Sequence, residues 1–330
     1  MQGALSTDCY IFASVKKGLI LAALSGLILL LSSFSRQPEK VTKEKLGEML
    51  FFDPILSENR TISCASCHKP EFGFADTTAF SKGVHGRLGL RNTPSVTNMS
   101  ARESFFWDGR AATLEEQALF PIADKNEMNL PIPIAVYRLN HSPKYRNLFY
   151  SLYKQYPNKK NLGAALAAYQ RTLETGDTPN DRWLNDEPNG MTEQQVRGRE
   201  IFRVKAKCFE CHFTPDFTAD EFRSIGLFNG KEHNDSGRYK ITRNPEDLGK
   251  FKVPGLRNVA VTAPYMHDGS FKTLRQVIDY YDNPHSSLPT GMNRDSVLRD
   301  PLNLTEMEKQ DLEAFLHALT DDRFVKTMKI

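Results

Sequence analysis

Two copies of the pattern Cys-x-x-Cys-His stand out among the residues whose types and spacing could do chemistry. One copy runs from 64 to 68 and the other from 208 to 212. Two thiols at this spacing can add to the two vinyl groups on one edge of a haem, and the adjacent histidine can then ligate the iron as its proximal ligand. The sequence therefore predicts two covalently bound haem c groups. The predicted attachment cysteines and proximal histidines are Cys64, Cys67 and His68, and Cys208, Cys211 and His212.

Zinc and a redox disulfide are the other uses of such residues. Zinc takes four ligands, usually with a second Cys or His pair at moderate spacing, whereas these two motifs begin 144 residues apart. A redox disulfide needs only two cysteines and gives no reason for a histidine at the same place twice. We therefore favour haem attachment over both.

The N-terminus has the pattern of an export signal. Lys16 and Lys17 precede an apolar run of about 14 residues, and small residues follow at Ser33 and Ser35. The run is short for a bilayer span, which needs roughly 20 apolar residues. We expect residues 1–35 to be a signal peptide, or else an N-terminal anchor, and we expect the protein in the periplasm or cell envelope.

Length and charge narrow the class of protein further. A chain of 330 residues with 40% hydrophobic residues can form about two folded domains. Its formal net charge is +3, and its Lys and Arg residues are scattered along the chain. This distribution does not favour a nucleic-acid partner.

The segments that follow the two motifs resemble each other. Aligning Leu-Arg-Asn at 90–92 with the same letters at 256–258 places an Asp-Gly pair at 108–109 opposite another at 268–269, after a six-residue difference. Two copies at so long a period are too few for a solenoid. The pattern predicts a duplicated single-haem unit whose halves have diverged.

The elements that must position the motifs read as mostly helical. Four threonines are followed three positions later by Glu or Gln, which is the capping-box pattern of a helix start; they are Thr113, Thr192, Thr273 and Thr305. Residues 162–176 and 306–322 have apolar residues at helical spacing. Strand signal is limited to a short hairpin around 223–253. We expect a mostly α fold of two cytochrome c-like haem domains, residues 36–180 and 181–330.

In combination these motifs resemble those of the bacterial dihaem cytochrome c peroxidases, a family that includes the methylamine-utilisation protein MauG. The resemblance covers roughly residues 43–320 and rests on the two haem motifs together with RNTPSVTN, FFWDGRAATLEEQ, NEM, FKVPGLRNVAVTAPYMHDG and LTEMEKQDLEAFLHAL. It implies that the N-terminal domain carries the peroxidatic haem and that the C-terminal domain carries an electron-transfer haem.

The resemblance also implies roles for residues around the first haem. His85, in GVHGRLGLRN, matches the distal ligand that closes the N-terminal haem at rest and leaves on activation, although this loop is about one residue shorter than the family pattern. Glu127, in KNEM, matches the distal acid that takes a proton from peroxide and returns it. Gln117 matches a neighbouring distal-pocket amide. Without the resemblance, His85 and Glu127 read as solvated loop residues.

Between the haems the resemblance implies two further features. Trp107, in FFWDGR, matches a tryptophan that mediates electron transfer, although an aromatic of this size is also common in a plain core. Asn92, Thr262 and Pro264 match positions that hold one Ca²⁺, largely through carbonyl oxygens, which are ligands that calcium favours.

The second haem departs from the electron-accepting peroxidases, whose distal ligand is methionine. The equivalent position here is Tyr281, which is similar to the MauG-like branch. Leu274, Ile278 and Tyr281 fall on one face of a helix, and Tyr280 points about 100° away. Two other arrangements stay open: Met292 is the ligand if its loop folds back, or Tyr281 packs in the core without touching iron.

The favoured function is that of an exported dihaem peroxidase, which reduces hydrogen peroxide to water with electrons from a small cytochrome c, a cupredoxin or a quinol. A MauG-like oxidase that modifies a partner protein is the rival enzyme. Tyr281 favours this rival because an anionic oxygen ligand stabilises high-valent iron, whereas a bound His85 counts against it. A dihaem electron-transfer protein without peroxide chemistry is the third reading. A homodimer is common in the family, and no feature of the sequence tests it.

Overall fold

The computed structural model describes residues 41–325. The predicted export signal at residues 1–35 lies outside this range. No helix within the range is long and apolar enough to cross a bilayer.

Helices dominate the described chain, as predicted. Before the second motif they are α1 Lys43–Phe52, α2 Leu114–Gln117, α3 Phe120–Ala123, α4 Ile132–Asn140, α5 Pro143–Tyr153, α6 Lys159–Gln170, α7 Pro179–Leu184 and α8 Glu193–Arg203. After it they are α9 Tyr239–Thr242, α10 Leu274–Asp282, α11 Pro284–Ser287, α12 Glu306–His317 and α13 Asp322–Val325. The predicted boundary between residues 180 and 181 falls inside α7.

The predicted hairpin is a small two-stranded sheet. Strands β1 Phe222–Arg223 and β2 Phe251–Lys252 pair antiparallel, with Phe222 opposite Lys252. The two strands sit at the ends of a long excursion, and most of the intervening chain is irregular.

The four predicted helix starts are confirmed. Thr113, Thr192, Thr273 and Thr305 precede α2, α8, α10 and α12, and each side chain accepts a hydrogen bond from the backbone N–H three residues later. This bond satisfies one of the donors that a helix start leaves without a partner. The caps therefore set where these helices begin.

Two pairs of helices approach closely, one pair in each half. Helix α1 packs on α6, and α8 packs on α12. A Cβ added at Gly47 would overlap the carbonyl oxygen of Ala165, and one added at Gly198 would overlap that of Asp311. Glycine is required at both crossings because the backbones leave no room for a side chain.

Two large apolar clusters surround these crossings. The first is built from α1 and α3 to α6, includes Leu46, Leu50, Ile122, Phe149 and Leu162, and packs against Cys64. The second is built from α8, α10 and α12, includes Phe202, Ile278, Leu312, Phe315 and Leu319, and packs against Cys208. Each haem motif therefore borders its own hydrophobic cluster.

Matching contacts recur in the two halves at a constant offset. Asn98 and Asn258 are both buried, and each donates its backbone N–H to a leucine carbonyl and accepts a backbone N–H on its side-chain oxygen. The bridge between Phe105 and Ala111 recurs between residues 265 and 271. Each member of the second set lies 160 residues after its counterpart. These contacts pair Asn258 with Asn98 rather than with residue 92, so the register of the sequence alignment is six residues off.

Candidate functional site

The first motif holds its histidine in a defined orientation. Cys64–Ser66 form a 3-10 turn, which brings His68 back over the segment that follows. The Nδ1 atom of His68 lies 3.0 Å from the carbonyl oxygen of Phe74, and the backbone of Pro94 is a second partner. Burial lowers the pKa of His68, which keeps the ring neutral. With Nδ1–H donating to a carbonyl, Nε2 is left to bind a metal.

The second motif repeats this arrangement. Cys208–Glu210 form the same kind of turn, and Nδ1 of His212 lies 2.9 Å from the carbonyl oxygen of Phe217. The backbone of Pro254 is its second partner, 160 residues after the proline that serves His68. Sequence reasoning missed both prolines and both phenylalanine carbonyls, although the prolines stand in the quoted segments NTPS and KVPG.

A cavity of about 230 Å³ opens beside the second motif. Cys208, Cys211 and His212 line it, and apolar side chains from α10 and α12 form much of its wall. Both thiols, an available imidazole nitrogen and an apolar enclosure are the features that a covalently attached haem needs. The residues present therefore fit a c-type haem.

Tyr281 faces this cavity from α10. Its hydroxyl has no hydrogen-bond partner among residues 41–325, and burial raises its pKa far above the usual value. Tyr280 does not line the cavity, because its hydroxyl donates to the carbonyl of Ile225 at 2.6 Å. Met292 is 45% exposed. Of the three candidates for the distal position, the structure brings Tyr281 to the second motif.

Glu127 lies near the first motif. The charge of its carboxylate acts on the thiols of Cys64 and Cys67 and raises their pKa values. No side chain among residues 41–325 donates a hydrogen bond to this carboxylate. Burial raises the pKa of Glu127 to about 7, the charge of Asp124 adds to this effect, and Arg110 opposes it. An unpaired carboxyl that titrates near neutrality is suited to proton transfer.

The loop that carries His85 is joined to Glu127 through the backbone. The N–H of Val84 donates to the carbonyl of Glu127 at 2.8 Å. The His85 side chain itself is 50% exposed, and its Nε2 lies 3.0 Å from Oε2 of Glu58. Its backbone is left-handed, with φ of 59°. In this structure the ring is therefore directed to a surface carboxylate.

Gln117 is the last residue of α2 and is partly buried. Its side-chain amide makes no hydrogen bond within the described part of the chain. The contacts do not connect it to Glu127, so its distal-pocket role stays a prediction.

Trp107 joins the two halves. Its indole Nε1 donates to the carbonyl of Asn92 at 2.8 Å, and its own carbonyl accepts the N–H of Lys252 at 2.8 Å. The ring also lines the cavity of the second motif. It is therefore fixed between the two segments by contacts to both.

The three predicted calcium positions meet at one wall. Asn92, Thr262 and Pro264 all line the cavity of the second motif. The side-chain amide of Asn92 donates to the carbonyl of Thr78 at 3.2 Å. Within residues 41–325, no group of three or more His, Cys, Asp or Glu side chains stands in position to hold a metal.

Residues 41–189 match the family described as di-haem cytochrome c peroxidase. The methylamine utilization protein MauG of Methylorubrum extorquens is 39% identical, over 86% of this chain and 78% of that protein. The cytochrome c551 peroxidase of Nitrosomonas europaea is 35% identical, over 87% and 82%. A crystal structure of a MauG-like protein associated with microbial copper homeostasis superposes with a TM-score of 0.78 at 32% identity, over 87% of this chain and 93% of that one. The chain therefore belongs to the di-haem cytochrome c peroxidase family, which implies an oxidoreductase with two c-type haems.

Proposed function

We propose that this protein is an exported dihaem peroxidase that reduces hydrogen peroxide to water with two electrons from an external donor. The observation that carries the proposal is the carboxyl of Glu127, which is unpaired, buried near the first motif and poised to titrate at about pH 7. A small cytochrome c, a cupredoxin or a quinol is the proposed donor. The predicted signal at residues 1–35 supports the periplasm or cell envelope as its location.

The proposed architecture is two haem domains related by duplication, residues 36–180 and 181–330. The matched hydrogen bonds of Asn98 and Asn258, and of the two axial histidines, support this division. When bound, haem c supplies the iron at which peroxide accepts electrons. Cys64, Cys67 and His68 would hold the first haem, and Cys208, Cys211, His212 and Tyr281 would hold the second.

In the proposed reaction Glu127 moves a proton within bound peroxide. Its carboxylate takes the proton from one peroxide oxygen and delivers it to the other oxygen, which leaves as water when the O–O bond breaks. Two electrons and two protons from outside complete the conversion of one peroxide to two waters. The hydrogen bond from Val84 to the Glu127 backbone holds the acid in place.

The remaining residues position and connect these parts. The Phe74 carbonyl orients the imidazole of His68, which increases its electron donation to a bound metal. Trp107 is the proposed route for electrons between the two haems, and Asn92, Thr262 and Pro264 are the proposed holders of one Ca²⁺. His85 is proposed to close the first site at rest, and its bond to Glu58 is then the released arrangement.

A MauG-like oxidase that modifies a partner protein is the second candidate. Two observations favour it: Tyr281 faces the second cavity, and the His85 ring is directed to Glu58. An anionic oxygen ligand stabilises high-valent iron, and a first site without His85 is open to oxidant.

Spectra of the purified dihaem protein separate these functions. We expect a low-spin first haem that becomes high-spin after one-electron reduction, as seen by EPR, and peroxide turnover that begins only then. Turnover in the fully ferric protein would favour the MauG-like oxidase. No reaction with peroxide in either state would leave electron transfer alone.

A further inference from the structure

A second, smaller cavity of about 110 Å³ lies between the segments that hold the two axial histidines. One wall comes from residues 94–107, which begin at Pro94 beside the first histidine. The opposite wall comes from residues 252–257, which include Pro254 beside the second histidine. Several wall residues, among them Lys252, also line the cavity of the second motif. A group that projects from a haem in the larger cavity can therefore reach the smaller one.

Arg102 is a buried cation in this wall whose guanidinium makes no hydrogen bond within residues 41–325. Only 8% of its side chain is exposed. The nearest carboxylates, of Asp216 and Asp220, lie 3.7 and 3.9 Å away, which is beyond hydrogen-bond distance. A guanidinium has five N–H donors, and leaving them buried without acceptors costs free energy.

The other cations of the small cavity are already satisfied. Lys252 Nζ lies 2.7 Å from Asp220 and 2.9 Å from the hydroxyl of Ser104. Arg257 forms two bonds to Asp181, at 2.8 and 3.0 Å. Arg102 is thus the cation in this wall that lacks an acceptor.

The fold makes room for this guanidinium. A Cβ built on Gly255 would stand 2.9 Å from Nη2 of Arg102. Glycine at this position therefore lets the guanidinium lie over the backbone next to Pro254, close to the segment that holds His212.

We propose that the small cavity receives a propionate of the haem attached at Cys208 and Cys211, and that Arg102 donates hydrogen bonds to this carboxylate. The inference rests on the proposed haem at the second motif. A haem carries two propionates, and a guanidinium binds a carboxylate through two parallel N–H···O bonds. A free inorganic anion such as phosphate shares this chemistry, and the test separates the two sources.

The contact gives Arg102 a role in electron transfer through position and charge. A positive charge at the propionate disfavours the oxidised iron, which is the more positive form. Arg102 therefore raises the reduction potential of the second haem and favours its filling by the external donor.

The test is a spectroelectrochemical titration of the full dihaem protein, with the second haem assigned from a protein that lacks Cys64 and Cys67. In Arg102→Gln we expect a lower potential for the second haem and no change for the first. The exposed Arg299→Gln removes the same charge elsewhere and is expected to leave both potentials unchanged. A second-haem potential in Arg102→Gln equal to wild type, at full haem content, would overturn the inference.

Arg102→Lys keeps the charge and loses the planar fork, so it tests the contact even where the glutamine variant fails to fold. We expect a second-haem potential close to wild type and a shifted propionate bending band in the resonance Raman spectrum. An unshifted band would contradict the contact.

Two further outcomes separate this inference from other failures. A wild-type potential that moves on adding phosphate, with the effect lost in Arg102→Lys, would mean that the cavity takes a free anion and would overturn the propionate assignment. Mass spectrometry that finds no haem on Cys208 and Cys211 would defeat the proposed function as well. Full haem loading with no effect at Arg102 defeats the propionate contact alone.

Discussion

Glu127 is the residue on which the proposed peroxide chemistry depends. Replacing it by Gln preserves its size and removes the proton acceptor, so we expect peroxide turnover to fall by roughly 10²–10⁴-fold. Steady-state assays with a reduced donor check this. Glu71→Gln is the control, because Glu71 is an exposed carboxylate on the loop after the first motif. Turnover in Glu127→Gln equal to that of the control would remove Glu127 from the mechanism.

The raised pKa of Glu127 predicts a pH limb. Its carboxylate must be deprotonated to accept a proton, so activity should fall as pH drops through about 7, the pKa that burial produces. Arg110 lowers this pKa, so Arg110→Gln should move the limb to higher pH. Rates measured from pH 5 to 9 check both shifts, and a limb that stays in place in Glu127→Gln would assign it to another group.

Tyr281 is the second residue with a clear test. Replacing it by Phe should change the electronic and EPR spectra of the second haem alone, because its hydroxyl faces that cavity without a partner in the described chain. Tyr280→Phe is the matched control: it loses one hydrogen bond to Ile225, worth about 1 kcal/mol, and should leave both haem spectra unchanged. No spectral change in Tyr281→Phe would mean that Tyr281 is a core residue.

At the scale of elements, the close helix crossings hold the motifs in place. Helices α8 and α12 meet at Gly198, and the segment that follows α8 leads directly to Cys208. A shift at this crossing therefore moves the attachment site. The same reasoning applies to α1 and α6 at Gly47, whose cluster packs against Cys64.

We therefore expect Gly198→Ala to destabilise the protein by about 1–3 kcal/mol, since the added methyl overlaps the Asp311 carbonyl and the helices must separate. Denaturant unfolding of the holoprotein measures the change. The control is Gly176→Ala, where an added Cβ meets nothing within 4 Å, so the effect should stay within about 0.5 kcal/mol. Equal stability of the two variants would show that the crossing has slack.

At the scale of the whole molecule, a partly buried ion network links the two halves. Arg91, in the first half, lies 2.6 Å from Asp108 and 2.6 Å from Asp235 in the second half. Lys240 is a further partner of Asp235 at 2.8 Å. These bonds secure the long excursion between β1 and β2 against the segment that carries Trp107.

Arg91→Gln should weaken this link by about 1–3 kcal/mol, less than for a fully buried pair because Asp235 keeps Lys240. Arg91 holds the pKa of Asp235 well below its ordinary value. The resulting stability is present above the ordinary carboxyl pKa and is lost as pH falls towards the folded-state pKa. Acid unfolding should therefore begin at a higher pH in Arg91→Gln than in the exposed Arg299→Gln, and identical curves would contradict the link.

The local chemistry of this protein could be predicted from its residues alone. Haem attachment needs two thiols and a histidine within five consecutive residues, and the helix caps need only a threonine at the start of each helix. Both are short-range patterns. For the same reason the mostly helical fold, the four capped starts and the hairpin were predictable, and Tyr281 could be placed on the inward face of α10.

Only the tertiary structure decided which remote segments meet. The carbonyls that orient His68 and His212 belong to phenylalanines and prolines, and a backbone carbonyl has no signature in the sequence. The side-chain partner of His85, the bond from Trp107 to Asn92 and the offset of 160 residues between matching contacts also depend on packing between distant parts of the chain. The unpartnered guanidinium of Arg102 is visible only once burial is known. The sequence alone determined the chemistry of the two sites, and packing decided their orientation and connection.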